Sequence, residues 1–230
     1  MNNNINTMIF DFGGTLDTNG IHWSDKYLEV INAEGIKFDI ESFNKAFVKS
    51  DEHLMTLVNK RNFTYYALIK EQLTYILNEI YSNIENIIIN KILNNLWGYV
   101  ENCIKDSISI LELLKPNYKI GLVSNFYGNI SEICRDIGID KFFDVMLDSK
   151  VVNISKPNPE IFSLAIKNLN SQPEDTIVIG DSYTRDILPS KAIGCKTVWL
   201  NKKSCEDFNK AESADYKITD IKDLKNIFKF

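Results

Sequence analysis

The sequence is short of the features that mark several protein classes. Its four cysteines, Cys103, Cys134, Cys195 and Cys205, include no CxxC pair, which argues against a thiolate metal site or a disulfide framework and for reduced thiols. Basic residues are not in excess: 26 Lys and Arg face 31 Asp and Glu, giving a formal net charge of −5. That balance provides no basic footprint for nucleic acid, although a local cluster of cations can still receive a small anion. Uncharged apolar runs are only strand-length, too short for a membrane-spanning helix. The opening segment MNNNINTMIFDF is too polar for a secretory signal. Repeats, low-complexity linkers and long charge runs are absent. The expectation is a cytoplasmic protein, monomer or homodimer, that binds neither nucleic acid nor membrane.

What is present suits a packed core. Of 230 residues, 44% are hydrophobic and 25% charged, enough for a large α/β domain with a small insert. Short apolar runs recur at Thr7–Phe10, Tyr118–Asn125, Phe143–Asp148, Thr176–Asp181 and Cys195–Leu200, each bounded by turn residues. Helical spacing fills the gaps at about 105–114, 129–137, 159–169 and 184–192. Strands alternating with helices imply right-handed βαβ units and a parallel sheet. The stretch 18–97 breaks the rhythm. There Ile69, Leu73, Ile76, Leu77 and Ile80 fall at helical spacing, Ile84, Ile87, Ile88 and Ile92 suggest another helix, and no strand pattern occurs. The expected architecture is therefore a three-layer α/β core with a central parallel sheet, residues 1–17 and 98–230. An all-helical domain, residues 18–97, is inserted after the first strand.

Ligands of parallel α/β sheets bind beyond the carboxyl ends of the strands. Three predicted strands end in reactive groups: Asp11, Ser124 and Asp181. Lys156 precedes a Pro-x-Pro turn that opens a helix. A carboxylate nucleophile, a hydroxyl, a cation and a second acid form a set suited to phosphoryl transfer, which requires positioning and charge neutralisation. Any one of these residues alone is ordinarily a turn, cap or solvated side chain.

The four segments together resemble the haloacid dehalogenase superfamily, in its order and spacing across residues 7–200. Its first motif is similar to Asp11-Phe12-Gly13-Gly14-Thr15-Leu16, and its second to Leu122-Val123-Ser124-Asn125. The third resembles Lys156-Pro157-Asn158-Pro159-Glu160-Ile161-Phe162, and the fourth Gly180-Asp181-Ser182-Tyr183-Thr184-Arg185-Asp186-Ile187. The resemblance implies a Rossmann-like core, with 18–97 as the family's helical cap. It implies Mg²⁺-dependent hydrolysis of a small phosphorylated metabolite through an aspartyl-phosphate on Asp11. Asp11, Asp181 and the Gly13 carbonyl would hold Mg²⁺, and Asp186 would order its water shell. Ser124 and Lys156 would complete the catalytic set, with Gly14, Thr15, Asn125 and His22 on the substrate side.

One position departs from the pattern. Family phosphatases carry a second aspartate two residues after the nucleophile, where Gly13 stands here, and that aspartate is the general acid and base. Its loss favours substrates with good leaving groups, or a replacement acid such as His22 or Asp17. It also keeps three alternatives open: a phosphonatase-like C–P hydrolase using a cap lysine (Lys26, Lys45, Lys49 or Lys60), a dehalogenase-like hydrolase, and a weakly active or non-catalytic phosphate-binding protein. The Gly180-Asp181-Ser182 segment favours metal and phosphorus over carbon–halogen cleavage, since family dehalogenases lack that acid.

Overall fold

A computed structural model of the chain describes residues 5–58, 62–81, 84–202 and 214–228. Cys205 and Lys60 lie outside them. Six parallel strands form one sheet in the order β3-β2-β1-β4-β5-β6. They are β1 (Thr7–Phe10), β2 (Lys119–Ser124), β3 (Val145–Asp148), β4 (Thr176–Gly180), β5 (Lys196–Leu200) and β6 (Tyr216–Ile218). The first five match the apolar runs. The sixth, a three-residue edge strand Tyr-Lys-Ile, was too short to stand out as a pattern. Its backbone pairs with β5, Leu200 opposite Ile218.

β1 is central, with Phe10 opposite both Leu122 of β2 and Ile179 of β4. The strand order reverses between β1 and β4, so the crevice beyond their carboxyl ends is where such sheets take ligands. Alternation of side chains places Ile9, Val123, Leu147 and Val178 on one face. There they pack with Ile161, Phe162, Ala165, Ile166 and Leu169, from α7 (Glu160–Asn168) and the residue that ends it. Among the described residues the core also has the α-helices α5 (Ile130–Asp136), α6 (Ser149–Val152), α8 (Leu188–Ala192) and α9 (Leu224–Ile227).

The chain divides into two compact units, Trp23–Glu101 and the remainder. The first contains only helices among its described residues: α1 (Trp23–Ala33), α2 (Ile40–Val58), α3 (Tyr65–Ile80) and most of α4 (Asn86–Leu114). Thr64 caps α3 by accepting from the Ala67 amide at 3.2 Å. Inside this unit Gln72 accepts from the Tyr27 hydroxyl and donates to Ser50 and Asp51, so a buried polar group is fully used. Trp23, Tyr27, Tyr65 and Trp97 pack ring to ring. His53 pairs with Glu71 at 2.9 Å and stacks on Tyr75. Tyr65 is buried, whereas Tyr81 is exposed.

The division falls a few residues later than residues 17 and 97. The reason at the first crossing is hydrogen bonding. The Asn19 and Gly20 amides donate to Thr15 and Gly14 carbonyls, and Asn19 Oδ1 accepts from the Ile221 amide at 2.8 Å, tying 18–22 to the core. At the second, α4 runs through without a break. Cys103, Cys134 and Cys195 are buried and not joined in disulfides; burial pushes the Cys195 thiol up to about 12, so it is not nucleophilic at neutral pH. Among the described residues no helix is long and apolar enough to cross a membrane.

Candidate active site

The site is built where three strands end. Asp11 directly follows β1, and its amide donates to the Ile179 carbonyl at 2.9 Å, so the last sheet bond fixes the residue that carries the carboxylate. The chain then turns tightly, with the Thr15 and Leu16 amides donating to the Phe12 carbonyl. Gly14 has φ +95°, and a Cβ there would collide with the Asp181 carboxylate. A Cβ on Gly180 would meet Asp186 side-chain atoms at 2.5 Å. These two glycines are thus required by the close approach of carboxylates, not by turn geometry alone.

Asp186 is aimed by a wide turn over Tyr183–Ile187, in which the Ile187 amide reaches the Ser182 carbonyl five residues back at 3.3 Å. Ser182 returns the bond, its amide donating to Asp186 Oδ2 at 3.0 Å. Lys156 Nζ then joins the acids, donating to Asp11 Oδ1 at 2.5 Å and to Asp186 Oδ1 at 2.7 Å. All three are buried, at 6% exposure for Asp11 and Lys156 and 1% for Asp186. Carboxylate oxygens of Asp11, Asp181 and Asp186 lie within 4.8 Å of one another.

Three carboxylates stand against one directly paired ammonium, with the Arg185 guanidinium acting on Asp181 as well, so negative charge is still in excess. Burial pushes Asp181 well above the usual carboxylate range, and the charges of Asp11 and Asp186 push it further. Burial also raises Asp186, against the pull of Lys156. Burial alone would lower the Lys156 ammonium, but Asp11 and Asp186 outweigh it and hold it above the ordinary lysine value. A buried, oxygen-only cluster with unbalanced negative charge fits a hard divalent cation such as Mg²⁺.

The structure gives the remaining candidates distinct places. The Ser124 hydroxyl, at the buried end of β2, has no protein partner among the described residues, so it is not spent on its own backbone. Thr15 is spent: its hydroxyl donates to Asp11 Oδ2 at 3.1 Å and accepts from the Asp181 amide at 3.0 Å, bridging the ends of β1 and β4. The Gly14 amide donates to Asp17 Oδ1 at 2.8 Å, which commits both that amide and buried Asp17 to the turn. Asn125 uses its side chain on the Lys156 backbone. Gly13 lies in the turn between Asp11 and Gly14, and His22 is half-buried at the end of the core segment. In the helical unit, Lys26 is buried with Nζ on Glu29 and over the Tyr99 ring, while Lys45 and Lys49 pair with Glu41 and Glu79 at the surface.

Some contributors carry no sequence signal. The Trp199 indole donates to the Asp181 carbonyl at 2.8 Å, from β5. Asp148 accepts from the Gly128, Ile130 and Lys150 amides, pinning the loop that follows Ser124 and Asn125. Such long-range bonds become visible only once the strand order is known.

The chain is thus a three-layer α/β protein with a carboxylate–lysine cluster at the switch point of its parallel sheet. The chain belongs to the haloacid dehalogenase-like hydrolase family, whose model matches residues 5–194. It is 34% identical over 123 residues to a glyceraldehyde 3-phosphate phosphatase of Pyrococcus furiosus, covering 52% of this chain, and spans about half the length of that relative (51%). It is 26% identical over 241 residues to the pyrophosphatase PpaX of Oceanobacillus iheyensis, covering 97% of this chain and 96% of the relative. Its fold is similar to that of a HAD-hydrolase of Bacillus subtilis, YfnB, solved bound to magnesium: TM-score 0.58, 20% identity, 97% and 98% of the two chains covered.

Proposed function

We propose that the chain is a Mg²⁺-dependent phosphohydrolase that acts on a small phosphorylated metabolite through an aspartyl-phosphate on Asp11. The observation that carries this reading is the buried cluster of Asp11, Asp181, Asp186 and Lys156 at the ends of β1 and β4. The phosphatase names of the two relatives point the same way. Asp11 and Asp181, with the Gly13 carbonyl, would hold Mg²⁺, and Asp186 would stand behind it. When bound, the cation offsets charge on the phosphoryl oxygens. Asp11 attacks phosphorus as the bond to the leaving-group oxygen breaks, and water then cleaves the aspartyl-phosphate to release phosphate and restore the carboxylate; Lys156 pairs with one Asp11 oxygen and orients it, and Thr15 holds the other. Ser124 offers its hydroxyl to a phosphoryl oxygen, joined by the Asn125 amide. Gly14 and Thr15 act by shaping the turn and not by touching substrate. Trp23–Glu101 is assigned the role of the family's cap, which selects the substrate.

The metal assignment has a direct test. Calorimetric titration of Asp181→Asn with Mg²⁺ is expected to show affinity lower by more than about 10²-fold, because an anionic oxygen ligand is lost. Affinity equal to wild type would remove Asp181 from the site.

Gly13 makes a second expectation. With no acid at position 13, and with Asp17 committed to the Gly14 amide, aryl and acyl phosphates should be hydrolysed faster than alkyl esters. Gly13→Asp should raise the alkyl rate selectively, by up to about 10²-fold. Steady-state kinetics on one substrate of each kind decides this; equal changes on both would show that position 13 does not govern the leaving-group proton. Of the lysines on which the C–P cleavage alternative depends, Lys26, Lys45 and Lys49 have their Nζ paired with a carboxylate, and Lys60 lies outside the described residues.

A further inference from the structure

We propose that Asn125 is a positioning residue for Lys156: its side-chain amide grips the lysine's own backbone and so delivers the ammonium between Asp11 and Asp186. The proposal rests on the phosphohydrolase reading for its catalytic meaning, but the grip itself is a matter of geometry.

Asn125 Nδ2 donates to the Lys156 carbonyl at 2.9 Å, and Asn125 Oδ1 accepts from the Lys156 amide at 2.9 Å. Both polar ends of one side chain are thus used on one residue, 31 positions away. The need for such a clamp follows from the local sequence. Lys156 lies in the loop between α6 and α7, outside helix and sheet, and is followed by Pro157 and Pro159, neither of which has an N–H to give. Among the described residues no backbone group bonds the Lys156 amide or carbonyl; the loop's own internal bond runs from the Asn158 amide to the Ser155 carbonyl. Asn125, by contrast, stands one residue past β2, a strand held on both sides by β1 and β3.

A lysine side chain is a long flexible stem, so its head group is placed only if its root is placed. Here the root is held by Asn125 and the head by Asp11 and Asp186. Asn125 therefore acts on the reaction through Lys156, with both polar atoms of its side chain engaged by the lysine backbone. Its main-chain amide is unaffected by this and stays on the phosphate side.

The test is structural first. Crystal structures of wild type, Asn125→Ala and Asn125→Asp are compared at Lys156. The aspartate variant keeps the acceptor for the Lys156 amide and loses the donor to its carbonyl, so it serves if the alanine variant does not fold. The expected result is a shifted Lys156 root with Nζ parted from at least one of Asp11 and Asp186. Nζ unmoved on both acids, in whichever variant folds, overturns the proposal.

Binding gives the second readout. Inorganic phosphate is titrated into wild type, Asn125→Ala, Lys156→Met and the double variant, all with Mg²⁺. Positioning predicts that Asn125→Ala costs affinity only while Lys156 is present, so the double variant matches Lys156→Met. Equal losses in both backgrounds would make Asn125 a direct ligand. In turnover of an aryl phosphate, kcat should fall about 10- to 10²-fold with a smaller change in KM, as expected for a misplaced catalytic group. A wild type that shows the Lys156 grip yet neither binds phosphate nor turns over would overturn the phosphohydrolase reading and leave the grip standing.

Discussion

Asp11→Asn should fold like wild type and lose aryl-phosphate turnover by about 10⁴-fold or more, since a neutral amide cannot form the covalent intermediate. The fold should survive for a reason visible in the cluster. Lys156 retains Asp186 at 2.7 Å and can still donate to the amide oxygen placed where Oδ1 was, while the Thr15 hydroxyl, facing the NH2 group, turns its proton to Asp181 Oδ1, 3.4 Å away. Removing one negative charge also relieves Asp181 and Asp186, both of which Asp11 pushes upward. Circular dichroism and thermal melts check the fold, and steady-state kinetics checks the rate. A variant that keeps a tenth of the wild-type rate would place the nucleophile elsewhere.

Lys156→Met should be costly in a different way. Methionine fits the volume of the lysine stem but leaves Asp11 and Asp186 without the ammonium that pairs them, with only the charge of Arg185 acting on Asp181. Breaking a buried pair from one side typically costs about 3–5 kcal/mol. For a chain of this size that lowers Tm by on the order of 10 °C in metal-free buffer. Two controls separate charge from packing. Added Mg²⁺ should recover much of the loss, because a cation re-enters the same field. The double variant Lys156→Met/Asp186→Asn should be more stable than Lys156→Met alone, since one of the stranded charges is gone. A melt that is unchanged, or that neither control improves, would show that the ammonium is not what balances the cluster.

Much of this architecture was legible from residues alone because the signals were local. Asp11-Phe12-Gly13-Gly14-Thr15 and Gly180-Asp181-Ser182 each follow an apolar run, and a strand ending in glycine and acid reads the same in sequence as in space. Lys156 was marked by its two prolines. What stayed hidden was how the groups are shared. Thr15 and the Gly14 amide looked like substrate contacts, yet both are engaged inside the turn, by Asp11, Asp181 and Asp17. The Asn125 main-chain amide is read from the motif as a phosphate ligand, but nothing in the motif shows that the side chain serves Lys156. A hydrogen bond between residues 31 or 166 positions apart has no sequence period to announce it. The edge strand β6 was missed for a related reason, since three residues are too few for alternation to show.

The account stands on Asp11 as the phosphoryl acceptor, and one experiment addresses that atom directly. Crystals of the wild-type protein grown with Mg²⁺ are soaked in beryllium fluoride, which mimics a phosphoryl group bonded to a carboxylate. The expected density shows a tetrahedral beryllium, carrying three fluorides and joined to a carboxylate oxygen of Asp11, with the Ser124 hydroxyl and Lys156 ammonium turned toward its fluorines. An adduct on any other residue, or a clean Asp11 carboxylate at saturating Mg²⁺ and beryllium fluoride, would contradict it.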